Sequence, residues 1–301
     1  MRLRFTRLDA LLLLMTVIWG ANYSVIKRAL RELPPVGFNA LRLTLASLLF
    51  LIAIHAPGRD RARPSPRDWR AIAAIGLVGQ LLYQLAFMAG IARTSVANSS
   101  LIIGTTPIFV ALLSAALGHE RIGAARWAAA ALSALGIYLV VGRGASVSRE
   151  SFVGDLLMFA SVVCWTIATV GARPLLARHA PIVVTGYSMA IGCALYFPFG
   201  WTELRAISWG QVSAAAWAAL IFSATFGLFV AYIIWYTGVQ RFGNARTSVY
   251  SNLVPIAALV VAALWLHEPI GATKIAGAAT VLAGVALSRV QSDEAAPPEP
   301  V

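Results

Sequence analysis

The chain contains one long segment twice, and this duplication constrains its fold more than any other feature. The two copies lie at 96–123 and 244–271, and Pro107 aligns with Pro255 at an offset of 148 residues. The same offset relates His119 to His267, Glu120 to Glu268, Gly123 to Gly271, Trp69 to Trp217 and Gly90 to Gly238. Nearer the N-terminus an offset of 146 residues pairs Asp9 with Asp155 and Trp19 with Trp165. A register kept across both halves indicates two copies of one folding unit.

Composition places these copies in a membrane. Of the 301 residues, 59% are hydrophobic and 12% are charged, which is about half the charged fraction of a soluble domain. Apolar stretches of about twenty residues recur along the whole length, and this length matches the hydrocarbon thickness of a bilayer. The net charge of +12 comes largely from basic residues in short loops, where they set topology and meet anionic lipid. No segment is long enough for a basic soluble domain, so no nucleic-acid partner is expected.

The apolar pattern predicts an all-α integral membrane protein of ten transmembrane helices, five in each copy. The predicted spans of the first copy are 8–29, 36–56, 69–92, 96–117 and 123–141. Those of the second copy are 154–176, 181–202, 211–239, 244–266 and 271–289. The predicted domains are a first repeat at 1–142, a linker at 143–153, a second repeat at 154–290 and a disordered acidic tail at 291–301. The first span has a counterpart in the second copy, so it is predicted to be retained rather than cleaved as a signal peptide.

The basic residues predict the orientation. Loops on the side of the N-terminus carry most of the arginines, including those in RLRFTR and GRDRARPSPRD. Because cytoplasmic loops are enriched in lysine and arginine, both termini are expected in the cytoplasm, with the protein in the inner membrane. Five is an odd number of spans, so the second copy enters the membrane from the opposite side. This predicts an inverted-topology pair, an arrangement suited to alternating access.

The repeated segments also resemble those of a known family. Each copy has an alanine ten residues before its proline, Ala97 before Pro107 and Ala245 before Pro255, and then a glutamate and a Gly/Ala-rich span. The run WGANY fits the first span of the same family. Together with the ten spans and the duplication, these motifs resemble the EamA type of the drug/metabolite transporter superfamily. The resemblance implies export or exchange of small metabolites, including amino acids and some lipophilic cations.

Polar and aromatic side chains inside the predicted spans are the candidate substrate contacts, because unpaired polar groups are costly in hydrocarbon. Trp19 and Trp165 are equivalent in the two copies, and each either lines a cavity or packs as an ordinary aromatic. Gln80, Tyr83 and Gln84 share one face of the third span. The predicted substrate-binding residues are Trp19, Asn22, Tyr23, Arg42, Gln80, Tyr83, Gln84, Asn98, Trp165, Tyr232, Trp235, Tyr236, Tyr250 and Asn252.

Three of the candidates carry a specific alternative. Arg42 lies about six residues, or roughly 9 Å, from one end of the second span. It either receives a substrate carboxylate or extends its charged end to the membrane surface. Pro107 and Pro255 are candidate kink or gating residues, because a proline removes one helical hydrogen bond and allows a bend. The bend either is static or helps the two halves move.

Other chemistry is not expected from this sequence. The carboxylates Asp9, Asp155, Glu120 and Glu268 lie at span ends, so no proton relay is visible at mid-span. The sequences HERIG and HEPIG lack the second histidine of a zinc motif, and both cysteines lie in apolar runs as packing residues. No metal, cofactor or catalytic residue is therefore predicted. The small-residue fifth and tenth spans are predicted to pack against other helices or to form a homodimer face.

The predicted function is export of small metabolites across the inner membrane by alternating access. The aromatic bias favours amino acids, aromatic ones among them, or flat cations, because both stack on aromatic rings. Two alternatives stay open at this point: an exporter of lipophilic cations or drugs, and a membrane accessory subunit that transports nothing. A membrane enzyme has less support, because no cluster of nucleophile, acid, base or metal ligands appears.

Overall fold

The computed structural model describes residues 6–56, 64–116, 128, 131–132, 135, 149–251, 253–267, 271–272, 275–280 and 283. Within these ranges all regular secondary structure is helical and no strand occurs. Six of the described helices are each long and apolar enough to cross a bilayer: Arg7–Ala29, Pro35–His55, Pro66–Arg93, Arg149–Leu176, Pro181–Ala206 and Ala214–Phe242. The predicted all-helical membrane architecture is thereby confirmed. Most of the predicted fifth and tenth spans lies outside the described residues.

The helices are numbered here in chain order. They are α1 (Arg7–Ala29), α2 (Pro35–His55), α3 (Pro66–Arg93), α4 (Val96–Ile103), α5 (Thr106–Ala116), α6 (Arg149–Leu176), α7 (Pro181–Ala206), α8 (Ala214–Phe222 continued by Ser223–Val230 and Ala231–Ser251) and α9 (Val254–Trp265). Sequence signals explain several of their starts. The pairs Thr6 with Asp9 and Ser65 with Asp68 form reciprocal capping boxes at the starts of α1 and α3. α2 and α7 begin at prolines, whose missing N–H would have had no partner in the first turn.

The middle of α3 and the middle of α8 are both wound as π-helix. The π-helical segments are Gly76–Leu82 in α3 and Ser223–Val230 in α8. The 148-residue offset of the repeat superimposes them to within one residue. π-Helical turns are rare in proteins, and those that occur are often found at functional sites. Because they recur at equivalent positions of both copies, the middle of α3 and the middle of α8 are candidates for the functional site.

The predicted fourth span, 96–117, is two helices rather than one. α4 ends at Ile103, two residues form a turn, and α5 begins at Thr106. In the second copy α8 ends at Ser251 and α9 begins at Val254. The bends expected at the two prolines are therefore complete interruptions at equivalent positions. Each proline lies in the first turn of the following helix, where it removes no hydrogen bond.

Two predicted helix boundaries are wrong. α6 begins at Arg149 rather than at residue 154, and α8 continues to Ser251 without the loop expected between residues 239 and 244. The first copy does start a new helix at the place equivalent to that loop, because the Ser95 side chain accepts the backbone N–H of Asn98 at 3.1 Å. The equivalent residue of the second copy is a glycine, which has no side chain to accept such an N–H, and α8 continues through it.

Glycines allow the helices to cross closely. A Cβ atom on Gly20 of α1 would lie 2.4 Å from the Cβ of Ala257 in α9. A Cβ on Gly192 of α7 would lie 2.2 Å from the Cβ of Gln80 in α3. Helices in a bilayer associate largely through such small-residue contacts, since lipid is as apolar as their side chains. These crossings bring helices of both copies around one central space.

Candidate substrate cavity

A cavity lies between helices of both copies. Its walls come from α1, α2, α3, α6 and α8, and from the two places where a helix is interrupted. The volume open to the centre of a water molecule is about 70 Å³. About 10–15 Å³ of such volume holds one water, so the cavity has room for a small solute rather than a bulky drug. Nine predicted substrate-binding residues line it: Trp19, Asn22, Tyr23, Arg42, Tyr83, Gln84, Trp165, Tyr232 and Trp235.

Trp19 is the centre of the aromatic wall. Its ring centroid lies 5.5 Å from that of Trp235, 6.0 Å from that of Trp165 and 6.1 Å from that of Tyr232. Its indole N–H donates to the backbone carbonyl of Gly227, in the π-helical segment of α8, at 3.0 Å. The side chain is thus oriented by three rings and one hydrogen bond, and it lies in the cavity wall rather than in a lipid-facing aromatic belt.

Arg42 supplies a positive charge to the cavity wall. The residue is 2% exposed, so its charged end does not extend to the surface. Its Nη2 donates to Gln84 Oε1 at 2.8 Å and its Nη1 to Ser223 Oγ at 3.2 Å. Among the described residues it forms no ion pair, and its Nε–H has no acceptor. A buried cation without a counter-charge is costly, and it attracts any anion that enters the cavity.

Further polar atoms in the cavity wall lack partners. Gln84 Nε2, Trp235 Nε1 and Asn22 Oδ1 are buried and have no hydrogen-bond partner in the part of the chain that the structure describes. Each such atom costs about 1–3 kcal/mol, and native proteins keep few of them. Together with Arg42 Nε, residues that line the cavity carry three buried N–H donors and one buried acceptor without partners among the described residues. This arrangement is suited to a ligand that accepts several hydrogen bonds.

The two helix interruptions meet beside the cavity. A Cβ on Gly104, between α4 and α5, would lie 2.7 Å from Cγ of Pro255 in α9. Residues on either side of both interruptions line the cavity, including Thr106 and Val254. No described side chain caps the start of α9, so its positive dipole end adds to the potential there. Interrupted helices at a repeat interface form the substrate sites of many transporters.

Four predicted residues either lie away from the cavity or fall outside the part of the chain that the structure describes. Gln80 is buried against Gly192 of α7 and Tyr236 packs on Trp165 with ring centroids 6.4 Å apart, and neither lines the cavity. The face shared by Gln80 and Gln84 is split because the π-helical segment ends between them and alters the helical rotation. Asn252 and the side chain of Pro107 are outside the described residues.

Two further predicted residues bind buried carboxylates instead of lining the cavity. Asn98 Nδ2 donates to Asp155 Oδ2 at 3.2 Å, and Asp155 also accepts from Thr94 Oγ1 at 2.6 Å. The Tyr250 hydroxyl donates to Asp9 Oδ1. Both aspartates are buried, at 2% and 4% exposure, at equivalent positions of the repeat. These two groups are called the aspartate contacts below.

Sequence reasoning missed several wall residues. Thr106 in the wall and Ser223, which binds Arg42 behind it, are hydroxyl residues within apolar stretches, and this is the sequence signal available for both. Gly227 contributes a backbone carbonyl, and a Cβ added to it would lie 2.9 Å from the Asn22 side chain. No feature of the sequence alone indicates that role.

Comparison with known proteins identifies the family. The model of the EamA-like transporter family matches residues 6–142 and again 152–290. A probable terminal-alkyne amino-acid exporter of Streptantibioticus cattleyicolor is 30% identical over 280 residues, 92% of this chain and 91% of that relative. An uncharacterized transporter of Archaeoglobus fulgidus is 27% identical over 274 residues, 91% of this chain and 95% of that one. One solved crystal structure shares the fold, with a TM-score of 0.67 at 18% identity, covering 94% of this chain and 97% of its own. The family and these relatives are transporters rather than enzymes, and the chain belongs to the EamA-like transporter family.

Proposed function

We propose that this protein is a ten-helix carrier of the inner membrane that exports small metabolites, amino acids or related compounds, by alternating access. The observation that carries the proposal is the central cavity, whose walls come from both copies of the repeat and include both helix interruptions. A carrier needs one binding site that two halves can open to either face in turn.

Local structure supports an inverted repeat. The π-helical segments of α3 and α8 are equivalent, and so are the interruptions before α5 and before α9. An odd number of spans per copy places equivalent features on opposite sides of the membrane. The basic loops support cytoplasmic termini in this arrangement.

The aspartate contacts support closure at two opposite faces. Asp9 joins the start of α1 to Tyr250, near the end of α8. Asp155, six residues into α6, joins this helix to Thr94 and Asn98, where α3 ends and α4 begins. With inverted copies these contacts lie at opposite ends of the cavity. Opening one contact while the other holds would expose the cavity to one side only.

Efflux from proteoliposomes tests the proposal. We expect purified protein to accelerate efflux of at least one small amino acid from preloaded vesicles, with an imposed pH gradient in a parallel series. Vesicles without protein measure leakage. Faster efflux in the presence of the pH gradient would show that transport is coupled to protons. No flux of any amino acid from folded protein would contradict amino-acid export and would favour an accessory subunit.

Export of lipophilic cations is the second candidate, because the aromatic wall around Trp19 suits flat cations. The buried charge of Arg42 opposes it, since a cation in this small cavity would be repelled. Ethidium in the same efflux assay separates the two candidates: flux of ethidium without flux of amino acids would replace the first proposal by the second.

A further inference from the structure

We infer that Arg42 binds the carboxylate of the transported compound and that the substrate class is small carboxylic acids, with zwitterionic amino acids as the best match. The inference rests on the proposed transport function and adds to it the chemical group that the cavity recognises. Four observations support it. Arg42 has no counter-charge among the described residues, and N–H donors near it lack acceptors. Asn22 supplies an acceptor without a partner among the described residues, and the polar residues concerned differ between the two copies.

Arg42 is held in place but not neutralised. Gln84 from the first copy and Ser223 from the second copy each accept one N–H of the guanidinium, through uncharged oxygens. The Nε–H has no acceptor among the described residues. Because an arginine stays protonated in proteins and its planar group pairs well with a carboxylate, this geometry leaves one binding partner to be supplied by a ligand. Gln84 and Ser223 are then positioning residues, which orient Arg42 from α3 and α8.

The unpaired donors nearby match the acceptors of a carboxylate. Besides Arg42 Nε, the cavity wall has Gln84 Nε2 and Trp235 Nε1 without acceptors among the residues described. A carboxylate has two oxygens that accept about four hydrogen bonds, and bonds to a charged acceptor are about twice as strong as neutral ones. A primary amide or an amine at the same place would lose this charge and would leave the cost of the buried guanidinium uncompensated.

Other groups of the cavity wall suit an ammonium group. Asn22 Oδ1 is the acceptor without a partner among the described wall residues, and Trp19 and Tyr232 add aromatic rings to the wall. An ammonium donates to amide oxygens and is attracted to aromatic faces. A molecule with both groups, such as an amino acid, can satisfy donors and acceptor together in this cavity.

Three polar residues of the site belong to the first copy and are replaced in the second. At the offsets of the repeat, Asn22 aligns with Ala168, Arg42 with Ser188 and Gln84 with Tyr232. The scaffold features, in contrast, occur in both copies: the interruptions, the π-helical segments and the aspartates. A difference between the copies at these cavity-lining residues is expected when they recognise an asymmetric ligand rather than hold the two copies together.

The test compares acids with their amides on the purified full-length protein. Binding is followed by quenching of intrinsic tryptophan fluorescence and by thermal shift, which do not require transport. The probes are L-alanine, L-leucine and L-phenylalanine, each paired with its own primary amide, and ethidium as a cation. We expect at least one acid to bind ten-fold or more tightly than its amide. Arg42→Gln should remove this preference, Arg42→Lys should retain part of it, and Arg205→Gln, an exposed control at the end of α7, should leave it unchanged.

The outcomes separate this inference from the proposed function. Equal binding of acids and amides, unchanged preference in Arg42→Gln, or binding of ethidium alone would overturn it. Failure of folded protein to bind any acid would also overturn it, because the panel covers the carboxylate sizes that this cavity admits. Binding of acids without efflux would reject the transport function and keep the recognition of carboxylate. If Arg42→Gln does not fold, the acid-to-amide ratio of the unmodified protein and of Arg42→Lys still decides.

Discussion

Trp19→Ala is expected to lower the efflux rate per folded protein at least ten-fold. The indole contacts three other rings of the cavity wall and donates to the Gly227 carbonyl, so its loss removes a large part of the surface that a substrate meets. Truncation of a packed tryptophan also costs about 3–5 kcal/mol. The measurement is efflux from proteoliposomes, normalised to the fraction of protein that elutes as a single species.

Trp201→Ala is the matched control for this prediction. Trp201 lies near the end of α7, is 50% exposed and is not part of the cavity wall. We expect normal efflux from this variant. Efflux of Trp19→Ala equal to that of Trp201→Ala would show that the aromatic wall does not contact the substrate.

Gly20→Val is expected to prevent the protein from reaching its folded state. A Cβ atom on Gly20 would lie 2.4 Å from the Ala257 Cβ and 2.9 Å from the backbone nitrogen of Ala258, which is too close for any rotamer to relieve. The helices α1 and α9 would have to separate, and their separation would open the wall of the cavity. Overpacking of this kind costs about 1–3 kcal/mol in soluble cores, and a backbone contact makes the cost larger.

Gly171→Val is the control, because Gly171 in α6 has no heavy atom within 4 Å of the added Cβ. We expect this variant to fold with a thermal midpoint at or above that of the unmodified protein, since glycine is a poor helix former. The monodisperse fraction in detergent and the thermal midpoint are the measurements. Normal folding of Gly20→Val would show that α1 and α9 do not cross as closely as described here.

Some features of the site were accessible from the sequence because they depend on local pattern. Trp19 and Trp165 were paired by the repeat, and the structure brings their rings to 6.0 Å. Mid-span polar residues such as Asn22 and Gln84 are rare in hydrocarbon, and both lie in the cavity wall. Patterns of this kind depend only on residue type and on spacing along the chain, so they can be recognised without the structure.

Other predictions failed to locate their residues because rotation about a helix axis was not known. Asn98 and Tyr250 lie a few residues before Pro107 and Pro255, and both are predicted substrate contacts. In the structure they bind the buried carboxylates of Asp155 and Asp9 instead. A helix boundary shifted by one or two residues turns a side chain by 100° or more, so depth in the membrane does not determine which neighbour it meets.

The sequence by itself determined that this chain is a membrane protein made of two related halves, where most of its long helices run, and which unusual side chains lie at mid-membrane. These properties follow from hydropathy, from capping residues and from the alignment of one half of the chain with the other. None of them requires knowledge of contacts between distant residues. Only the tertiary structure decided that Arg42 is buried rather than directed to the surface. That outcome depends on Gln84 of α3 and Ser223 of α8, which are distant from Arg42 in sequence and contact it only after the helices have packed. Contacts between distant residues depend on packing, and packing cannot be inferred from spacing along one chain.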